Sequence, residues 1–282
     1  MAIRLGTVAA IGFDSFAPAE WLGCFRRLGC TVVQAYRNQE AKVSLRQMQE
    51  ALAAGGMPCD SLHGVFGEAF DPSAPDEHAR RFAVDTYKAE GELALALGGP
   101  LVVVHCSTVR PQGVSPQEKR LRWDQLRRSI AELGEFGRRR GVTYAFENLP
   151  GYHAIGSDAG ELARVLGELG APNTGLCFDT GHANLVGDVP SALRAAGKQI
   201  VYVHFSDNSG KNDEHEMPTY GSLDTAGVAA ALREIRYRGT LMLEVFHDAG
   251  RLRELIDTGC AERLADFVAA VGETDGPDGP VV

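Results

Sequence analysis

Short runs of apolar and β-branched residues alternate with longer amphipathic stretches along nearly the whole chain. The short runs predict strands at 3–8, 31–36, 58–63, 101–105, 142–147, 174–179, 200–205 and 240–245. The longer stretches predict helices at 18–28, 43–54, 76–97, 116–139, 159–169, 190–196, 225–236 and 252–271. Strand-then-helix repeated eight times is the count of a closed parallel barrel.

Punctuation residues support that division. Ser115, Pro116 and Glu118 make a capping box with proline at the first helical position, and Asp158 with Glu161 repeats the spacing. Asp188 before Pro190 and Asp224 mark two more helix starts. Gly29, Gly55, Gly98, Gly141, Gly170, Gly197 and Gly239 each stand just before a strand and are read as helix stops. The fold class is therefore α/β, a single (β/α)8 TIM barrel over residues 1–271, with 272–282 a flexible, glycine- and proline-rich tail.

Composition narrows the function classes. With 44% hydrophobic and 23% charged residues, the 282-residue chain has the makings of a soluble protein with a large core. No apolar run approaches the roughly 18 residues of a membrane span. The amino terminus reads as a strand rather than a signal peptide, and six scattered cysteines without a CxxC pair read as reduced thiols, so the expected location is cytoplasmic. A net charge of −9 weighs against a nucleic-acid partner and leaves a homo-oligomer open.

The chemistry lies at the strand ends. His63, His105, Glu147, Asp179, His204 and Glu244 close strands three to eight in order. Each follows apolar residues, and a carboxylate leaving a buried strand is costly unless it is paired or bound to a cation. Any one of them is explained as a helix cap or a hydrogen-bonded histidine. Six on one face of one barrel predict a divalent-metal site. His182 lies three residues after Asp179, and Asp213 and His215 lie in a polar loop, roughly 206–221, that can reach back over the mouth. His78 reads as solvated, Trp21 as packing, Phe66 as packing or else as an apolar wall for a sugar face, and His153 and His247 as loop residues near the mouth. Lys211 reads as solvated or as a contact to a sugar hydroxyl or phosphate.

The segments FENLPG at Glu147, CFDTGHANL at Asp179, VHFSDNSGKNDEH at His204, YGSLD at 220–224 and LMLEV at Glu244 carry a family resemblance. The chain resembles the xylose isomerase-like barrels, which include sugar and sugar-phosphate isomerases, ketose 3-epimerases and endonuclease IV-type nucleases. That resemblance implies one divalent ion, Mn2+ or Mg2+ before Co2+ or Zn2+, on Glu147, Asp179, His204 and Glu244. It also implies Glu147 and Glu244 as the catalytic acid–base pair of a sugar or sugar-phosphate isomerase or epimerase working through a metal-stabilised enediolate. His63, His105, His182, Asp213 and His215 would then bind the sugar substrate.

The resemblance leaves two alternatives. Endonuclease IV-type zinc enzymes hold three ions on nine ligands, and His63, His105, Glu147, Asp179, His182, His204, Asp213, His215 and Glu244 match those positions by type. Against that apurinic-site nuclease stand the loops RNQEAK, with two basic residues and one acid, and GVFGEAFDPSAPDE, which has no Lys or Arg where a DNA backbone requires them. A metal-dependent lyase or dehydratase on the same barrel is the other alternative.

Overall fold

The computed structural model describes residues 3–14, 17–108 and 114–272. Its strands are β1 (Arg4–Ile11), β2 (Val32–Arg37), β3 (Cys59–His63), β4 (Leu101–His105), β5 (Thr143–Glu147), β6 (Thr174–Asp179), β7 (Ile200–Phe205) and β8 (Thr240–Leu243). All neighbours run parallel, and β8 pairs with β1 to close the barrel. These strands are buried on both faces, which is why they read as apolar runs rather than as alternating patterns.

The helices are α1 (Pro18–Arg27), α2 (Leu45–Gly55), α3 (Glu77–Leu97), α4 (Pro116–Arg140), α5 (Ala159–Leu169), α6 (Thr180–Asn184), α7 (Val189–Ala196), α8 (Thr225–Glu234), α9 (Ala249–Asp257) and α10 (Cys260–Gly272). Each long helix turns an apolar stripe onto the sheet, as Leu22 and Phe25 of α1 and Leu126, Ile130 and Leu133 of α4 do. The predicted caps form. The Ser115, Asp158, Asp188 and Asp224 side chains accept from the backbone N–H of Glu118, Glu161, Ser191 and Gly227.

The differences from the sequence expectation have local causes. The last helix is two, because Gly259 at φ 80° ends the first before α10 begins. Gly55 is the final helical residue of α2, and the left-handed stop is Gly56 at φ 63°. Gly239 is not a left-handed stop; α8 ends at Glu234 with Ile235 as its cap, and a side chain at 239 would strike the Tyr237 ring, 2.5 Å from its hydroxyl. Gly272 closes α10, and the remainder of the expected tail lies outside the described residues. All six cysteines are buried free thiols. Among the described residues no helix is long and apolar enough to cross a membrane.

Register sets up the site. His105 stands opposite Glu147, Glu147 opposite Cys177, and Asp179 opposite His204. The polar residues that close these strands therefore gather at the carboxyl-terminal mouth, His105 level with Glu147 and Asp179 level with His204.

Candidate metal centre

Glu147, Asp179 and His204 are fully buried and Glu244 is 4% exposed, so the charges that end these strands are removed from water. One ligand atom from each of the four lies within 4.8 Å of the others. His204 Nδ1 is 2.9 Å from both Glu147 Oε1 and Glu244 Oε2, and 3.9 Å from Asp179 Oδ2. Glu244 belongs to this group although β8 stops one residue earlier, at Leu243.

The backbone of Asp179 is held by Asn148. Asn148 Oδ1 accepts from Asp179 N at 2.8 Å, and Asn148 Nδ2 donates to the Asp179 carbonyl at 3.0 Å. Asp179 Oδ1 caps α6 by accepting from His182 N at 2.6 Å. Its other oxygen, Oδ2, is buried without a hydrogen bond, as are Glu147 Oε2 and Glu244 Oε2. Capping thus uses one oxygen of this carboxylate and leaves the other available to a ligand. A buried carboxylate oxygen without a donor is costly, and a divalent cation among these three would satisfy them together. Three carboxylates and one imidazole suit Mn2+, Mg2+ or Co2+, and accommodate Zn2+.

The remaining expected residues form an inner ring. His63 Nδ1 bonds the Gly64 carbonyl at 2.9 Å, and its Nε2 points at Glu147 (3.9 Å) and Glu244 (3.8 Å). His105 Nε2 lies 3.2 Å from Glu147 Oε2. The Nδ1 of His182 bonds the Asn148 carbonyl at 2.9 Å, and that of His215 bonds the Glu244 carbonyl at 3.0 Å. Asp213 receives the far sides of both rings, at 3.4 Å from His182 and 3.6 Å from His215. His63, His182 and His215 thus anchor Nδ1 on a backbone carbonyl and direct Nε2 inward, the arrangement that fixes tautomer and ring orientation in ligating histidines. His215 itself sits at φ 47°, an uncommon backbone conformation for a residue with a side chain. The loop returns it to the mouth because Asp207 and Glu216 exchange backbone hydrogen bonds at 2.9 and 2.8 Å.

Electrostatics record the excess of negative charge. Burial raises Asp179 to about 7, with the Glu244 and Glu147 charges adding to the effect. Burial alone would raise Glu147 and Glu244, but neighbouring imidazoles, His204 foremost, hold both well below the usual carboxylate range. Burial alone would lower His182 and His215, but carboxylates outweigh it, Asp179 foremost at His182 and Asp213 at His215, so they rise to about 10 and about 9. His63 is lowered by burial to about 4. Without a cation, the cluster holds protons on imidazoles where positive charge is required.

A cavity of about 370 Å³ opens above these groups, within the size range of small-molecule sites. His63, His105, His182, Asp213, His215 and Glu244 reach its surface. Tyr36, Phe66, Tyr152, His153 and Phe246 also line it. The sequence pattern does not single out the wall made by Tyr36 and Phe246, and for Phe66 it offers packing first and an apolar sugar wall second. Position was the available signal: Tyr36 is near the end of β2, and Phe246 follows Glu244 by two residues. Cys177 was read only as a reduced thiol, yet it can share a ligand group with Glu147 and His204. Trp21 packs in the core as expected. His247 is paired with Glu216 at 2.5 Å.

A family model for the xylose isomerase-like TIM barrel matches residues 5–264. An uncharacterized protein of Methanocaldococcus jannaschii is 27% identical over 201 residues, covering 69% of this chain and 68% of the relative. An L-ribulose 3-epimerase of Methylomonas sp. is 27% identical over 176 residues, covering 61% of this chain but only 59% of that enzyme. Among solved structures, an L-ribulose 3-epimerase superposes with a TM-score of 0.74 at 22% identity, covering 97% of this chain and 100% of that one. At that identity the likeness speaks for the fold.

Proposed function

The chain belongs to the xylose isomerase-like TIM barrel family, and on that footing we propose that it is a divalent-metal-dependent isomerase or epimerase of a sugar. The observation that carries this reading is the convergence of Glu147, Asp179, His204 and Glu244 within 4.8 Å, with carboxylate oxygens buried and unpartnered. A bound ion would supply Lewis acidity to the substrate carbonyl. Glu147 and Glu244 both approach His63 Nε2, at 3.9 and 3.8 Å, beneath the cavity, and in this reading they flank the reacting carbon. One takes the proton from the carbon beside the carbonyl and the other returns it. His182, Asp213 and His215 orient the hydroxyls, and His63 and His105 close the opposite side. The described lining holds no Lys or Arg to pair with a phosphate, and its raised imidazoles, His182 and His215, already face Asp213, which favours a neutral sugar over a phosphorylated one. The 27% identity to a Methylomonas L-ribulose 3-epimerase supports the same class.

Incubation with a panel of ketoses and aldoses in deuterated water tests the proposal. Deuterium should appear at the carbon next to the carbonyl in at least one sugar, and no exchange in any of them would overturn the reading.

A second reading has its own observation. His63, His105 and Glu147 form one further ligand group, and His182, Asp213 and His215 another. Two more ions there would make a hydrolytic centre for phosphodiesters, as in the nuclease branch. Three zinc ions per chain, with cleavage of abasic-site DNA that weakens steeply as salt rises, would select it.

A further inference from the structure

Beyond Tyr36 and Phe246, on the side away from the candidate metal centre, lies a second cavity of about 510 Å³. It is lined by Ala10, Phe13, Trp21, His247 and Asp248, and shares Tyr36 and Phe246 with the first. The two cavities meet across one aromatic wall. Tyr36 stands edge-on to His63 with centroids 5.0 Å apart, so the wall begins one ring from the carboxylate cluster. Phe13 stacks on the far side of Tyr36 at 5.7 Å and 12°. Phe246 leans on Tyr36 at 5.6 Å and is 44% exposed, leaving a large apolar face uncovered.

The second cavity is built rather than incidental. Trp21 Nε1 donates to the His247 carbonyl at 2.8 Å, which ties the segment after β8 to α1 and fixes the floor between them. Asp248 spends one side-chain oxygen on capping α9, where it accepts from Arg251 N at 2.8 Å. Neither Lys nor Arg is among the described lining residues. An anionic group is thus poorly served there, whereas a ring with an apolar face fits against Phe13, Tyr36 and Phe246. The first cavity, at about 370 Å³, already has room for a monosaccharide above the carboxylates.

Resting on the sugar reading above, we propose that the substrate is a two-ring compound: a carbonyl sugar over Glu147 and Glu244, carrying an uncharged second ring that seats on Phe13, Tyr36 and Phe246. The second ring is a pyranose or an aryl group, which offer the same apolar face. This makes the protein selective for a glycoside-type sugar over the free monosaccharide.

Calorimetric binding to the Mn2+-loaded full chain tests this without relying on turnover. The probes are D-fructose, the disaccharide isomaltulose, which carries a glucosyl ring on fructose, and an aryl ether of fructose. At least one two-ring probe should bind about tenfold tighter than fructose, a gain typical of one more ring buried on apolar walls. Phe13→Ala should bring that ratio to within about twofold of unity, and Phe246→Ala should do the same. Phe13 and Phe246 are only partly buried, so both variants should fold, which circular dichroism checks. Preference for the disaccharide identifies a pyranose, and preference for the aryl ether an aryl group. Equal binding of all probes, no binding of any, or a ratio unchanged in both variants overturns the proposal. Deuterium exchange on the same probes reports separately on the isomerase reading. A binding preference without exchange would keep the two-ring site and remove the chemistry, and exchange without preference would do the reverse.

Discussion

At the amino-terminal floor of the barrel, Asp60 accepts from Thr240 Oγ1 at 2.7 Å, from the Tyr202 hydroxyl at 2.9 Å, from Ser61 Oγ at 3.0 Å and from Arg4 Nη2 at 3.3 Å. At the opposite mouth, Glu147, Asp179 and Glu244 gather with one oxygen each buried and unpartnered. The strands supply carboxylates at both ends, but at the floor both oxygens of Asp60 are hydrogen-bonded, whereas at the mouth each carboxylate keeps one oxygen without a hydrogen bond. A satisfied buried carboxylate joins strands and contributes stability. A group of unsatisfied ones opposes folding until something positive enters. The difference separates a structural end of the barrel from a binding end.

The largest effect expected from breaking this comparison is at the mouth. Glu147→Gln and Glu244→Gln should each lower kcat by about a thousandfold or more, because an amide cannot accept or return a proton. Each should also lower the thermal stability of the ion-free protein, because each removes a carboxylate that His204 and its neighbours hold ionised. Steady-state kinetics and melting curves on the same samples check both halves.

Asp60→Asn at the floor should lower stability alone. It removes the counter-charge of Arg4 and leaves donors poorly matched, so unfolding free energy should drop by about 1–3 kcal/mol. Activity per folded molecule should remain close to that of the parent. Urea titration combined with kinetics on the folded fraction reads this out.

A smaller effect links the two ends to pH. The raised His182 (about 10) and His215 (about 9) stabilise the ion-free fold fully below their ordinary 6.5, and that contribution is lost as pH rises through their folded values. The ion-free protein should therefore become less stable from pH 7 to pH 9. Ion binding strengthens over the same range, because ligands are freed of protons. An ion at a hundred times its Kd adds about 2.7 kcal/mol. The gap between Tm with and without the ion should widen with pH, and a gap that narrows would speak against the cluster as the binding locus.

Much of this architecture was legible in the chain. The eight apolar runs were clear because parallel strands buried on both faces leave little alternation to confuse. Glu147, Asp179, His204 and Glu244 stood out because charged groups ending apolar runs are chemically conspicuous. Other features depended on distance in three dimensions. Gly55 and Gly239 misled because a glycine before a strand serves equally as a left-handed stop or as room for a neighbour, and at 239 the neighbour is the Tyr237 ring. Tyr36 and Phe246 were hidden among ordinary core aromatics, while Phe66 could be read only as packing or as a sugar wall. Only barrel closure, which brings β2 beside the end of β8 through β1, shows that they share one wall. Cys177 was invisible as a neighbour of His204 until the β5–β6 register placed it opposite Glu147.

The most direct measurement is the metal content of the purified full chain, compared between the parent, Asp179→Asn and Asp60→Asn after equilibration with Mn2+ and removal of free ion. The sugar-isomerase account predicts one tightly held ion per chain in the parent and in Asp60→Asn, and loss of that ion in Asp179→Asn. A parent that holds no ion, or an Asp179→Asn protein that holds it as tightly as the parent, would contradict it.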